Sequence, residues 1–293
     1  MRCSFSVAAA MLAVCAACSA GERPAAGIVV DDTGRPVDLG LSPRRIVSLA
    51  PGLTELLFAI GAGDRVVGRT RWGDYPPEAR EIPSVGEGLS PNVEVIVGRR
   101  PDLVVFYASP ANRSAIDRLE ELGIATASFR TDRLADLARS ARLLGRITGD
   151  SGVADSLASF LENDIARLRS TRPQGPEVKV LLLVWDNPPI TIGAQSFLSE
   201  IVTLAGGRNV FDDIDKASAT VSIEAIVERD PDVVLVVSDS GVPMWMVRPE
   251  WQTVRAVRDN RFVVAPGTEF GRPTFRAPQA IRWLRSRFME LAR

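Results

Sequence analysis

SGVADSLASFLENDIARLRSTR, residues 151–172, sits near the middle of the 293-residue chain and decides how the rest divides. Val153, Leu157, Phe160, Leu161, Ile165 and Leu168 recur at spacings of three and four, a single apolar stripe on a 3.6-residue period, so the stretch reads as one long helix. Ser151 is placed to cap it, and Asp155 sits in the early turns that favour negative charge. Arg167, Arg169 and Arg172 crowd the opposite end before Pro173 stops it. At 1.5 Å per residue such a helix spans roughly 30 Å, the width of a small domain.

Its two flanks echo each other. Residues 92–105, NVEVIVGRRPDLVV, and 222–235, SIEAIVERDPDVVL, share Glu, Ile, Val, Arg, Pro, Asp and Val in one register, a helix leading through Pro-Asp into a strand. Thr54-Glu55-Leu56-Leu57, ending in Gly61, is answered by Ser199-Glu200-Ile201-Val202, ending in Gly206. Helix–strand units of this kind recur by chance, but two matched units in the same order argue for duplication. Strands at 45–49, 65–68, 103–107 and 124–129 alternate with helices at 54–60, 112–122 and 132–148 in the first half. Pro51-Gly52 reads as a turn and Thr54 as a helix cap. In the second half the near-continuous apolar runs at 178–185, 233–237 and 262–264 suit parallel strands covered on both faces, and a helix at 278–291 closes the chain.

The expected fold class is therefore α/β: two duplicated α/β lobes with parallel-type sheets joined by one long rigid helix. The expected divisions are a signal segment at 1–18, a tether and hairpin at 19–45, lobes at 46–149 and 174–293, and the connecting helix at 150–173. The hairpin is read from two short apolar runs around Asp32-Thr33-Gly34. Gly61 and Gly63 follow a helix and lack a third glycine, so they read as a helix end rather than a dinucleotide loop.

The first residues, a basic start and the apolar run SFSVAAAMLAVCAAC, have the layout of a secretory signal. All three cysteines, Cys3, Cys15 and Cys18, lie there, so the mature domain holds no pair to cross-link. Histidine is absent, which excludes Ser-His-Asp catalysis and metal sites built on imidazole. A formal net charge of −1 and the lack of a basic tract speak against nucleic acid. There is no G-x-S-x-G and no phosphate loop, and no obvious paired carboxylates stand in the expected cleft to mark an enzyme.

The stretches RIVSLAPGLTELLFAIGAGDRVVG (45–68), GDYPPEAR (73–80), SPNVEVIVGRRPDLVV (90–105) and VSIEAIVERDPDVV (221–234) resemble the substrate-binding proteins of ABC importers whose lobes are joined by one rigid helix, the class serving vitamin B12, haem and ferric siderophores. Asp74-Tyr75-Pro76-Pro77 is most similar to the vitamin B12-binding branch, and the opening hairpin also resembles siderophore and haem binders. The resemblance covers nearly all the mature chain. Ala16-Ala17-Cys18 resembles a bacterial lipoprotein signal, which implies lipidation of Cys18, plain secretion being the alternative.

Several roles follow from the resemblance. It implies a periplasmic or envelope protein, no enzyme and no intrinsic cofactor, that hands a macrocyclic ligand to a permease dimer with its ATPase and touches the membrane only through the lipid anchor. Cobalamin is the first ligand, with haem or a ferric siderophore as alternatives. Glu94 and Glu224, one per lobe, match the glutamates that dock on permease arginines, although an acid two residues past a cap also simply suits the helix dipole. Trp72 and Tyr107 match pocket aromatics of the cobalamin branch and Trp185 lies within a residue of another; each could instead close the core. Tyr107 could alternatively ligate haem iron. Arg276 matches the family's arginine in its second-lobe loop; with Arg272 it could hold polar ligand groups, or pair with Glu269. Trp245, between Met244 and Met246, offers a soft apolar wall or a loop anchor. Glu87-Gly88-Leu89 and Ala217-Ser218-Ala219 stand where the cobalamin branch can carry further tryptophans, which widens the cleft or changes its ligand. A ligand sensor remains a further reading, since a sensor needs no docking glutamates.

Overall fold

A computed structural model describes residues 28–37, 42–238 and 244–291. The expected signal segment with Cys18, and residues 19–27 and 38–41 of the expected tether and hairpin, lie outside the described residues. An antiparallel hairpin, β1 (Val29–Val30) and β2 (Pro36–Val37), opens the described chain. The first lobe runs β3 (Ile46–Ser48), α1 (Pro51–Ala59), β4 (Val66–Arg69), α2 (Val93–Val97), β5 (Leu103–Tyr107), α3 (Arg113–Glu121), β6 (Ala125–Phe129) and α4 (Leu134–Thr148). Helix α5 (Ser151–Ser170) leads to the second lobe. That lobe runs β7 (Val178–Asp186), β8 (Pro189–Ile192), α6 (Phe197–Ala205), β9 (Gly207–Asn209), β10 (Ser218–Thr220), α7 (Ile223–Arg229), β11 (Val233–Val237), α8 (Arg255–Arg258), β12 (Phe262–Ala265), α9 (Gly267–Phe270) and α10 (Ala277–Leu291).

The first sheet has the order β4-β3-β5-β6, every pairing parallel. In the second, β9-β7-β11-β12 pair in parallel in the same relative order. The repeat therefore extends to topology. What the second lobe adds is an antiparallel pair, β8 and β10, laid along the later half of β7, while β9 pairs with its start. The Pro-Asp echo has a physical basis: Asp102 accepts from the backbone N–H groups of Arg44 and Arg45, and Asp232 from that of Lys179, so each aspartate pins the start of its lobe's first strand.

Alternate residues of the strands feed two cores per lobe, as parallel sheets covered on both faces require. Ile46, Leu103, Val105, Ala127 and Phe129 pack with α1, α4 and the start of α5. Val47, Val104 and Phe106 pack with Ile96, Ile116 and Leu119 on the other face. In the second lobe Val180, Leu182, Val233 and Leu235 face α5, α6 and α10, and Leu181, Leu183, Val234 and Val236 face Trp251 and Val254.

Helix α5 lies packed along α4. Gly145 makes that approach possible, since a Cβ there would stand 2.3 Å from the Cβ of Ala154. Leu134 and Leu137 of α4 enter the second lobe's core, and Leu157 of α5 packs against cores of both lobes. The buried stripe of α5 is Ala154, Ala158, Leu161, Ile165 and Leu168; Val153 and Phe160, expected on it, are exposed. Small alanines face α4 because the two helices run close. Asp150 rather than Ser151 occupies the N-cap, and its carboxylate is taken by Arg65. Pro51 is likewise the first residue of α1, not part of a turn, and Thr54 lies inside the helix, donating to Ser48 Oγ at 2.9 Å. Strands β8, β9 and β10 are only three or four residues long, and β8 starts at Pro189 and β9 at Gly207, so none of them is read from sequence.

Candidate functional site

The carboxyl ends of the first lobe's strands, where open α/β sheets bind small molecules, face the second lobe across a cleft of about 600 Å3. Leu49, Ala50 and Pro51 follow β3, Trp72 follows β4, Tyr107 ends β5, and Thr131 and Asp132 follow β6. The second lobe supplies Ile192 from β8, Gln195 to Leu198 around the start of α6, Ser218 from β10, and the loop Gly271-Arg272-Pro273. Close approach needs glycine twice: a Cβ on Gly88 would stand 2.3 Å from the Leu49 carbonyl oxygen, and one on Gly52 would stand 2.5 Å from that of Pro273, across the lobes. A hollow of about 880 Å3 beside the hairpin, bordered by Arg35, Asp102 and Glu120, lies at the other end of the strands next to residues outside the described set and is not the site.

Trp72 stands at the rim, 57% exposed, with Arg71 over its ring at 5.7 Å; Arg71 is itself paired with Glu87. Tyr107 is half-buried, and its hydroxyl donates to Asp132 Oδ1 at 2.6 Å. Burial first, then that hydrogen bond and the negative charges of Asp132 and Asp136, push the phenol up to about 12. Arg272, the one cation lining the cleft among the described residues, pairs with Asp74 at 2.7 Å and lies 3.6 Å from Glu55. Burial works against ionisation of Asp74, but hydrogen bonding and charge from Arg272 prevail and hold its carboxyl below the usual range.

Three expected ligand contacts fall outside the cleft lining. Arg276 is buried, 5% exposed, and donates from Nε and Nη2 to the two oxygens of Glu55 at 3.0 and 2.9 Å, with its guanidinium 3.9 Å from the centre of the Tyr75 ring. A fully buried carboxylate demands such a partner, and Arg276 supplies it to Glu55. Trp245 packs on Trp251, ring centres 4.5 Å apart, against the second lobe's outer core. Trp185 ends β7 largely exposed, its indole donating to the Asn187 carbonyl at 2.9 Å. Trp72, Tyr107 and Arg272 are brought together.

The residues that join the lobes are not among those expected from sequence to do so. Glu55 of α1 takes Arg276, which immediately precedes α10. Glu200 of α6 takes Arg133, which immediately precedes α4, at 2.6 Å, and also accepts from the Leu134 N–H at 2.7 Å. First helix of each lobe meets last helix of the other. Beside the second pair the Phe197 N–H donates to the Asp132 carbonyl at 2.6 Å and closes the cleft floor. The signal was in the second echo, which aligns Glu55 with Glu200.

Glu94 and Glu224 occupy the same place in the two lobes, exposed in the first turns of α2 and α7. Asn92 accepts from the Glu94 and Val95 N–H groups, and Ser222 from that of Ala225. Backbone hydrogen bonding and Ser222 hold the Glu224 carboxyl below its ordinary value. Among the described residues no cluster of acids, His or Cys is placed to hold a metal ion, and no helix is long and apolar enough to cross a membrane.

The profile of the periplasmic binding protein family matches residues 46–268. A vitamin B12-binding protein of Vibrio parahaemolyticus is 28% identical over 243 residues, 81% of this chain and 86% of that protein. An ABC transporter substrate-binding lipoprotein of Bacillus subtilis is 30% identical over 244 residues, 80% of this chain and 76% of that one. The crystallographic neighbours include a periplasmic haem-binding protein of Roseiflexus, with TM-score 0.76 and 25% identity over 85% of this chain and 99% of that chain. With its two like-built lobes, the cleft between their strand ends and a family profile spanning most of its length, this chain belongs to the periplasmic binding proteins, which are binders and not enzymes.

Proposed function

We propose that the chain is the substrate-binding component of an ABC importer and that its cleft takes vitamin B12 or a related corrinoid. The observation that carries the ligand is the charge state of the cleft: its cation, Arg272, is already matched by Asp74 and Glu55. Haem propionates and the anionic groups of ferric siderophores call for uncompensated guanidinium or ammonium groups. A corrinoid rim carries mainly neutral amides, which need mixed donors and acceptors such as Thr131, Gln195, Ser196 and Ser218. Trp72 and Tyr107 add flat faces for the macrocycle. Relatives named for vitamin B12 and for haem both support the class of ligand.

In this reading residues 46–149 and 174–293 grip the ligand, the helix at 150–173 holds them at fixed spacing, and Glu94 and Glu224 dock on a permease dimer driven by its ATPase. Residues 1–18 export the chain and Cys18 carries a lipid that keeps it at the cell envelope; the lipoprotein relative supports that part. Absorbance titration of the purified mature domain with cyanocobalamin, cobinamide and haemin tests the ligand. Saturable corrinoid binding, tighter than haemin, is expected. Binding of haemin alone, or of none of the three, refutes the corrinoid assignment.

A further inference from the structure

A cleft that accepts a metallomacrocycle can treat the metal in two ways: ligate it from the protein, or leave it to ligands the macrocycle brings. The protein side chains that hold haem iron are His, Cys, Met and Tyr. This chain has no His, and its three cysteines lie in the signal segment. Among the described residues no methionine lines the cleft. Tyr107 is thus the one such side chain among the described residues of the cleft wall.

A phenol binds ferric iron as the phenolate, so its proton must first leave to solvent. Burial and two nearby carboxylates oppose that loss at Tyr107. Its O–H is directed at Asp132 Oδ1, 2.6 Å away. Asp136, on the first turn of α4, adds to the negative field; it is occupied by the Arg133 N–H at 2.9 Å and by Arg139 at 2.8 Å. Asn112 donates to the Tyr107 backbone carbonyl and leaves the hydroxyl alone. Arg272, the cation of the same cleft, is tied to Asp74 and Glu55, and Arg133 is tied to Glu200. Arg272 Nη1 makes no hydrogen bond, but the charge of both guanidiniums is already met by carboxylates among the described residues, so neither is left uncompensated to stabilise a phenolate. Asp132 is in turn held in place, because its carbonyl accepts from Phe197 of the opposite lobe.

We propose that Asp132 is a specificity-determining residue: by holding the Tyr107 hydroxyl as a donor it bars the tyrosine from iron and reserves the cleft for macrocycles whose metal needs no ligand from the protein. The inference rests on the reading that the cleft holds a metallomacrocycle and sharpens the choice within that class.

The chain has two tyrosines, so the test can begin without any ligand. Ultraviolet titration of wild type minus Tyr107→Phe isolates Tyr107 from Tyr75. Asp132→Asn, which keeps the shape and an acceptor but drops the charge, is expected to ionise Tyr107 about one pH unit lower, a tenfold change in the equilibrium. Asp132→Glu, which keeps the charge, is the conservative control and should keep the titration high; it also serves if the Asn variant does not fold. On adding ferric haemin, wild type should show no tyrosinate-to-iron charge-transfer band between about pH 7 and pH 10. Asp132→Asn should develop the band within that range, and Asp132→Asn combined with Tyr107→Phe should not. A tyrosinate-ligated haem in wild type at neutral pH, or a Tyr107 titration that Asp132→Asn leaves in place, overturns the proposal. Failure of wild type to bind cyanocobalamin would remove the proposed corrinoid function, while the ligand-free titration and the haemin spectra would still decide the role of Asp132.

Discussion

Replacing Arg276 with methionine removes a guanidinium that makes two hydrogen bonds to a carboxylate with no solvent exposure. Burial pushes Glu55 above its ordinary value, and Arg276, then Arg272, pull it back. Deleting one partner of such a buried pair costs about 3 to 5 kcal/mol, because the other charge stays behind without compensation. Arg272, 3.6 Å from the same oxygen, still screens it in part, which places the expected loss near the lower end, about 3 kcal/mol. At about 2 to 4 °C per kcal/mol for a chain of this size class, Tm should fall by about 6 to 12 °C. Glu55→Leu with Arg276→Met removes both charges, and the double variant should recover at least about 1 kcal/mol of the summed single losses. Arg133→Met is the internal control, since its pair with Glu200 has the same place in the fold but side chains 38% and 26% exposed, and solvent-facing pairs are worth about 1 kcal/mol or less. Denaturant unfolding of the four variants gives the comparison. A loss below about 1 kcal/mol for Arg276→Met, or strict additivity in the double variant, would refute the view that a buried charge pair locks the lobes.

Four other outcomes follow from the same contacts. Gly145→Ala should destabilise by about 1 to 3 kcal/mol despite alanine's better helix propensity, because its Cβ meets that of Ala154 at 2.3 Å; a urea midpoint at or above wild type would contradict this. Trp72→Ala, removing one flat face at the rim, should weaken corrinoid binding by about 1 to 2 kcal/mol, a factor of about 5 to 30, measured by the same absorbance titration. Glu94→Arg with Glu224→Arg should abolish uptake in cells while ligand affinity stays at the wild-type value; normal uptake would sink the docking role. Tyr107, with a folded pKa of about 12 against an ordinary 10.0, should make stability fall as pH rises from about 10 to about 12, since there the unfolded chain loses the proton first. In Tyr107→Phe that part of the alkaline loss should vanish.

The sequence discloses what is periodic. Helix α5 is legible because leucines and isoleucines repeat on its own turns, and the duplicated frame because Pro-Asp turns and capped helices recur in one register. Even there, exposure of Val153 and Phe160 escapes notice, since helical spacing alone ranks a large apolar residue above alanine, while closeness to α4 selects the alanines. The site is only partly legible. Tyr107 and Trp72 stand at strand ends, where period and position agree. The pairing of Arg276 with Glu55 is not legible, because the two are 221 residues apart and become neighbours only once the lobes have docked. Asp132 carries no local pattern at all; its meaning comes from the hydroxyl of a strand 25 residues earlier.

The crossed glutamate–arginine pairs carry a consequence for origin. When two identical subunits meet about a two-fold axis, residue i of one touches residue j of the other, and j touches i, so the contact is self-complementary. Glu55 with Arg276 and Glu200 with Arg133 have that form inside a single chain, each glutamate on a lobe's first helix and each arginine at the threshold of the other's last. An isolated ancestral lobe bearing both residues would have been a ready-made homodimer. Were the lobes descended from such a dimer, helix α5 would stand where a covalent tether took over from concentration in holding them together, with one pair now buried and the other still in contact with solvent.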